Sequence, residues 1–487
     1  MTESKGVVDR AGGARPHPAT RRPRDGLAIA AGRLIGFVTR RTGHGGTSLP
    51  GMTAERVAPH LLADLGAELG GAVLVTGTNG KTTTTHLIAH ILQRGGRPVI
   101  ANRSGANLRQ AVTTSLLSAA TLGGHLTAPG AIAVLEVDEA ALTSISDALT
   151  PSALVFTNLF RDQLDRYGET DALIRRWQAV LEQLPNAATV VYCADDPRIA
   201  ELVASRRVTA RAYGLIPPDH STADMSLTPD VTTCPRCDSR LSYAWTVVGH
   251  LGSYGCTACG FARPPSDLAV RVVSSRGIDG QTLAFSGRDI DGEPQVTVRI
   301  PGTSNAYNAA AAVAAAMSLG VPASDAVAAL EDAVSPFGRY ESIDIDRRHV
   351  VLMLGKNPAS LAELIRIATE SEPSAVLFAL NDNHADGRDV SWYWDLDPAE
   401  LISGRRYAIS GTRAADFRLR IKYELDHDPA TPPAGEHRTS TDPAAALTSL
   451  VESVEPGRRI LVIATYTALL GLRAGLVRRG LTAPPPR

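Results

Sequence analysis

The chain of 487 residues combines 44% hydrophobic residues with a net charge of -1, the profile of globular material amounting to about three domains. That near-neutral balance excludes a broad polyanion-binding field, so nucleic acid is not an expected partner. Only four basic residues are lysines, Lys5, Lys81, Lys356 and Lys422, which makes a lysine inside a motif informative.

Residues 1–26 are rich in Gly, Pro and Arg with little to bury, and read as a disordered basic tail. Arg21-Arg22 does not introduce a signal segment, because Arg33 and Gly36 interrupt the apolar stretch Leu27 to Val38 and no small-residue cleavage site follows. That stretch reads as an amphipathic helix opening a lead-in over 27–60. Nowhere do about 18 apolar residues run uninterrupted, so no transmembrane helix is predicted. The expected compartment is cytoplasmic, with membrane contact confined to the surface.

From Leu61 the short apolar strands Val73 to Thr76, Ala131 to Val137, Ala153 to Thr157 and Thr189 to Tyr192 alternate with helical patterns. Alternation of this kind predicts a parallel, doubly wound α/β sheet. The alanine-rich helix Asn305 to Met317 and the segment Pro322 to Val334 close this domain, which spans 61–334. A second alternation occupies 335–487: Val350 to Leu354, the helix Ala359 to Thr369, Ala375 to Leu380, Arg406 to Ser410, the helix Ala414 to Tyr423, and Arg459 to Thr465. It predicts a separate, smaller α/β domain.

The first strand runs into Thr76-Gly77-Thr78-Asn79-Gly80-Lys81-Thr82-Thr83-Thr84, followed by the helical pattern His86 to Leu92. A strand, a glycine-rich turn and a helix N-terminus bearing Lys-Thr form a cradle in which backbone N–H groups meet phosphates and a hydroxyl reaches Mg²⁺. ATP is the expected nucleotide, with Gly77 to Thr83 around its phosphates. The generic phosphate loop would carry glycine at position 75, where Val75 stands.

Cys234 and Cys237 are followed, after eighteen residues, by Cys256 and Cys259 within an insertion at about 228–265. Two C-x2-C knuckles satisfy a tetrahedral Zn²⁺ completely, so the metal is expected to be structural. Paired disulfides are the alternative, disfavoured in the cytoplasm. The fifth cysteine, Cys193, ends a strand with no activating partner at a recognisable spacing and reads as a small buried hydrophobe. The chain is therefore poorly equipped to hydrolyse glutamine with a thiol of its own.

Several segments together resemble the MurT family, the Mur ligase-like synthetase subunits of lipid II isoglutaminyl synthase: TGTNGKTTTTHLI, LEVDEA (135–140), VFTNLFRDQLDRYGE (155–169), CADDPR (193–198), the four-cysteine insertion, SNAYNAAAA (304–312), GRYES (338–342), LGKNPASL (354–361), LNDNHADGRDVSWYWD (380–395) and SGTRAADFRLRIKY (410–423). The resemblance spans about residues 45–470. It implies a Mur-type central ATPase domain with an inserted zinc ribbon, followed by a smaller Rossmann-like domain. By resemblance Lys81 and the backbone of Gly77 to Gly80 hold the β- and γ-phosphates, while Thr82 and Glu136 bind Mg²⁺. Asn158 and Asp162 line the metal and nucleotide side, and Asn305, Asn308 and Arg339 meet the nucleotide across the hinge; for both asparagines a helix-capping role is the alternative.

The implied reaction is ATP-dependent phosphorylation of the α-carboxylate of D-glutamate in the lipid II stem peptide, followed by attack of ammonia to give D-isoglutamine. The implied partner is a GatD-type glutaminase, whose triad takes an aspartate from this chain. Asp389 matches that position, Asp386 is the fallback, and two exposed tryptophans beside them suit an interface. Two departures separate the chain from amino-acid-adding Mur ligases. No lysine lies between Lys81 and Lys356 to be carbamylated, and their D-Y-A-H-x-P motif reads Met353-Leu354-Gly355-Lys356-Asn357-Pro358. The competing readings are a Mur or folylpolyglutamate-type amino-acid ligase and a nucleotide-switched zinc-ribbon binding module.

Overall fold

Gly71–Thr76 (β1) is an uninterrupted apolar run because both of its faces are covered. Val73 and Val75 enter one hydrophobic core, Ala72 and Leu74 the other, as the two-residue period of a strand dictates. The computed structural model describes residues 23–41, 47–102, 106–160, 170–217, 231–335, 340–387, 391–427 and 440–482.

Among the described residues, three helices precede β1: α1 (Pro23–Arg41), α2 (Leu49–Val57) and α3 (Leu61–Gly66). The first begins inside the stretch read as tail, with proline as its first residue and Asp25 in its first turn, both suited to a helix start. After β1 come α4 (Lys81–Arg94), β2 (Val99–Ala101), α5 (Arg109–Ser118), β3 (Ile132–Glu136), α6 (Leu142–Ser146), β4 (Ala153–Phe156), α7 (Thr170–Gln183), β5 (Thr189–Cys193), α8 (Pro197–Ala204) and β6 (Thr209–Leu215). A hairpin, β7 (Ser242–Val248) and β8 (Leu251–Gly255), precedes β9 (Leu268–Ser275), β10 (Gln281–Gly287), β11 (Gln295–Val298), α9 (Thr303–Ser318) and α10 (Ala323–Ala328).

These strands form one nine-stranded sheet in the order β2-β3-β1-β4-β5-β6-β9-β10-β11, with β7–β8 apart. The strands from β2 to β9 are parallel and the last two pairings are antiparallel. The doubly wound sheet expected from the sequence is present, extended by strands that the expectation omitted. β11 alternates exposed and buried residues, so a search for continuous apolar runs passes over it. On one face α9 lies against α4 and the sheet, its alanines 309–316 almost wholly buried around Val313. Side chains that short permit close approach.

The remaining elements are β12 (Glu341–Ile345), β13 (Arg348–Leu354), α11 (Pro358–Glu370), β14 (Ala375–Ala379), a 3₁₀ turn at Ser391–Asp395, α12 (Ala399–Ile402), β15 (Arg406–Ser410), α13 (Ala414–His427), α14 (Pro443–Ser453), β16 (Arg459–Ala464) and α15 (Tyr466–Arg478). They build a second sheet, β12-β13-β16-β14-β15, parallel except for β12. Val351 and Met353 face one core and Val350 and Leu352 the other. Among the described residues, no helix is long and apolar enough to cross a membrane.

Candidate active site

The order of the first sheet reverses at β1, which has β3 on one side and β4 on the other, and such a switch point opens a crevice at the carboxyl ends of the strands. The glycine-rich turn lies there. Gly77 adopts φ 130°, and a Cβ on it would sit 2.2 Å from Thr157 Oγ1. Gly80, at φ 86°, caps α4, and its Cβ would fall 2.1 Å from Asn308 Oδ1. Only glycine fits either position.

The turn is held from below by the segment after β4. Asn79 N donates to Asn158 Oδ1 at 2.8 Å, and Asn158 Nδ2 donates to Asn79 O at 3.1 Å. Thr78 N donates to Asn158 O, and Phe160 N donates to Thr78 Oγ1. Asn158 thus shapes the loop backbone in this structure. From α9, Asn308 Nδ2 donates to Asn305 Oδ1 and Asn305 Nδ2 to Pro301 O, while Asn308 Oδ1 accepts from Thr84 Oγ1. Neither asparagine caps that helix, whose N-cap is Gly302.

Lys81 is buried. Its Nζ contacts Glu139 Oε1 at 2.8 Å and donates to Gly77 O and Thr78 O. A buried cation of this kind needs a partner to offset desolvation. Glu139 was not singled out from the sequence, although LEVDEA places two carboxylates just beyond β3. Glu136, also buried, ends β3 opposite Val75; its backbone N–H donates to Asn102 Oδ1 and its Oε1 accepts from Asn107 Nδ2 at 3.4 Å. Lys81 and Glu139 thus meet under the turn, and Glu136 ends the strand beside β1, a cation and two carboxylates of the types that phosphate and a hard cation require.

Three further contacts had no local signal in the sequence. Asn357 caps α11 in a capping box, and its amide pairs reciprocally with that of Asn79, at 2.9 and 3.3 Å. The phosphate loop is thereby tied to the second sheet. Glu363 of α11 accepts from Thr303 N at 2.5 Å and from Ser304 N, capping α9 from across the molecule, and Arg366 pairs with it. Finally, buried Asp196 accepts from Leu159 N at 2.7 Å and pairs with His250 Nε2 at 3.1 Å. Burial works against ionising Asp196, but His250 and the backbone donors outweigh it and lower its pKa. His250 sits in the β7–β8 turn, so the cysteine-bearing insertion braces the segment that shapes the phosphate loop.

The four sulfurs of Cys234, Cys237, Cys256 and Cys259 lie within 4.8 Å of one another, with Cys234–Cys259 at 3.7 Å and Cys237–Cys256 at 3.6 Å. Tetrahedral zinc with Zn–S bonds of about 2.3 Å spaces its sulfurs by about 3.8 Å, so the cluster fits that metal. The backbone N–H and hydroxyl of Ser239 hold the Cys237 thiol down at about 6. Cys193 is fully buried, and that burial, with Asp195 and Asp196 beside it, raises its thiol pKa well above the ordinary value.

Asp386 turns inward: it accepts from Thr467 N at 2.8 Å, Thr467 Oγ1 at 2.5 Å and Asn383 N at 3.2 Å. Of the two tryptophans expected at the surface, Trp394 is exposed and stacks edge-on with Tyr423, but Trp392 is only part-exposed because it packs on buried Tyr393. Asp389, Arg339 and Asp162 lie outside the described residues.

Residues 75–249 match the Mur ligase middle domain and residues 354–469 the MurT ligase C-terminal domain. The chain is 33% identical over 404 residues to the lipid II isoglutaminyl synthase (glutamine-hydrolyzing) subunit MurT of Staphylococcus aureus strain COL, covering 82% of this chain and 88% of that protein. It is 33% identical over 457 residues to the subunit of the same name from Streptococcus pneumoniae strain ATCC BAA-255 / R6, covering 93% and 97%. Among solved structures, MurF from Acinetobacter baumannii shares the fold, with a TM-score of 0.62, 18% identity, and coverage of 88% of this chain and 80% of that one. Fold and phosphate loop together define an ATP-dependent ligase of the Mur type. Within that class, the chain belongs to the MurT family.

Proposed function

We propose that this chain is the synthetase subunit of a lipid II isoglutaminyl synthase. ATP would phosphorylate the α-carboxylate of the stem-peptide D-glutamate, and ammonia would displace phosphate from the acyl phosphate to leave D-isoglutamine. The observation that carries the reading is the buried Lys81–Glu139 pair under the glycine-rich turn, in a chain whose MurT relatives match almost end to end.

In this reading Gly77 to Lys81 hold the phosphates by backbone N–H groups and the ammonium, with Lys81 exchanging Glu139 for the γ-phosphate. Thr82 and Glu136 would hold Mg²⁺, whose preference for oxygen donors matches a hydroxyl and a carboxylate; bound there, it neutralises charge on the transferring phosphoryl group. Asn158, Asn305 and Asn308 position the turn and the nucleotide. The Asn79–Asn357 pair holds the second sheet over the loop, which keeps water from a hydrolysable intermediate. The chain lacks the metal-bridging lysine and the D-Y-A-H motif of amino-acid-adding Mur ligases, and both departures suit a nucleophile as small as ammonia.

Ammonia is assigned to a GatD-type glutaminase partner, because Cys193 is sealed in the core. Trp394, Leu419 and Tyr423 are exposed together near the 380–395 segment, aromatic and apolar anchors of the kind that seat a protein partner. The chemistry is expected on the cytoplasmic face of the membrane, where lipid-linked precursors are built. The test is ADP release and product mass with lipid II plus ammonium, compared with lipid II plus free amino acids. Amide product with ammonium alone supports the proposal; peptide extension by an amino acid refutes it.

We assign the four cysteines to one structural Zn²⁺. Cys237→Ser is expected to lose stoichiometric zinc and to lower the thermal midpoint by several degrees before any change in chemistry, since metal binding and local folding are coupled. Elemental analysis and thermal unfolding report this. A zinc-free native protein with its thiols oxidised in pairs would refute the assignment.

A further inference from the structure

The outer face of α1 is apolar, which is unusual for a helix at a protein surface. Its inner face already packs through Ala28, Ile29 and Gly32 against α2 and α5. Outward, Leu27 is 64% exposed, Leu34 63% and Phe37 50%, with Val38 nearly as open. Arg24, Leu27, Ala31, Leu34, Val38 and Arg41 follow one another at spacings of three and four, so they form a single stripe along the helix with a cation at each end. Arg41 lies over the Phe37 ring, 4.8 Å from its centroid. The helix holds one acidic residue, Asp25, and that one is 2% exposed.

The charge around this stripe departs from that of the whole molecule. Residues 1–48 carry nine Lys and Arg against three Asp and Glu, within a chain of net charge -1. An apolar stripe flanked by arginines and joined to a basic segment suits an anionic bilayer, where shallow burial of leucine and phenylalanine adds to attraction by acidic headgroups. Position in the fold points the same way. A Cβ on Gly26 would meet Leu122 O and one on Gly32 would meet Leu117 Cδ1, while on α2, which packs on α1, a Cβ on Gly51 would meet Gln110 O in the first turn of α5. From Gly26 to Gly32, α1 therefore runs antiparallel to the chain of α5, and its remaining turns lead from the level of Leu117 toward the α5 N-terminus. That terminus follows Asn102 and Asn107, the two residues bonded to Glu136.

We propose that the outer face of α1 lies in the interface of an anionic bilayer and presents the carboxyl-end crevice to a lipid-anchored substrate. This rests on the proposed function for the identity of the substrate but not for the docking itself. The test is flotation of the full chain with its glutaminase partner on phosphatidylglycerol–phosphatidylcholine vesicles and on pure phosphatidylcholine vesicles. The wild type should float with the anionic vesicles and be released by salt. Leu27→Glu/Leu34→Glu should lower vesicle binding by at least about tenfold, keep the wild-type thermal midpoint, and retain turnover of a detergent-solubilised substrate while losing it on vesicles. If that variant misfolds, Arg24→Gln/Arg41→Gln serves in its place and should weaken binding selectively on the anionic vesicles.

Failure of the wild type to float, or equal flotation of a folded variant, overturns the docking whatever the enzyme's substrate proves to be. A change from dimer to monomer in the variant without loss of flotation assigns the face to a second copy and also overturns it. Vesicle binding with no amidation of any lipid substrate would instead remove the proposed function and leave the docking standing.

Discussion

Lys81→Ala is expected to lower amidation by about 10²-fold or more, whether the nitrogen comes from glutamine or from added ammonium. The ammonium group sits under the glycine-rich turn to which we assign the phosphates, so its loss should remove charge stabilisation from the first chemical step, upstream of ammonia's source. A second effect follows from burial. Glu139 would keep its negative charge among buried neighbours with no cation, and breaking such a pair costs about 3–5 kcal/mol. Stability and chemistry can be separated by adding Glu139→Gln. The double variant should regain much of the wild-type thermal midpoint and stay inactive. ADP release by single and double variants, with saturating ammonium, is the measurement. Near-wild-type release from a folded Lys81→Ala protein would take the loop out of the mechanism.

The phosphate loop was legible in the sequence because every constraint on it is local. Glycine is needed at Gly77 and Gly80 by φ and by the close approach of Thr157 and Asn308, and the strand before and helix after them lie within residues 71–94. The cysteine cluster was legible for the same reason, since each C-x2-C knuckle is a short turn. The parallel strands were visible as apolar runs, being covered on both faces. β9 and β11 were not, because exposed positions interrupt them, at Val273 to Ser275 in β9 and at every second residue of β11, and the polar residues there dilute the pattern.

What escaped the sequence is what joins distant segments. Asn357 and Asn79 are 278 positions apart, and an asparagine before proline reads as nothing more than a helix cap. Glu363 lies on the helical pattern of α11, where a carboxylate ordinarily faces water, yet it is buried against the N-terminus of α9. Asp196 caps α8 through the Asp-Pro at its start, but its second task of holding Leu159 and His250 depends on an insertion folding back on the sheet. These contacts couple the loop to both the ribbon and the second sheet. Residue pattern along the chain carries no record of them.

Asp389→Asn is expected to separate the two halves of the reaction. If this residue orients the histidine of the glutaminase partner, its loss leaves acyl-phosphate formation intact while glutamine hydrolysis falls; removing an orienting aspartate from a nucleophile–histidine pair costs up to about 10⁴-fold. Asp386, the fallback for that role, accepts instead from Thr467 at the start of α15 and from Asn383 in its own loop. Its replacement should disturb both reactions together by loosening the loop. Glutamine-driven and ammonium-driven amidation, measured side by side in the assembled complex, tell these cases apart. With Asp389→Asn, the glutamine-driven rate should collapse while the ammonium-driven rate stays within a few-fold of wild type. No general folding defect produces that split, since the ammonium reaction passes through the same ATP site on the same chain. Equal loss of both rates in a folded, partner-bound variant would place Asp389 in the ligase cleft and end the shared triad.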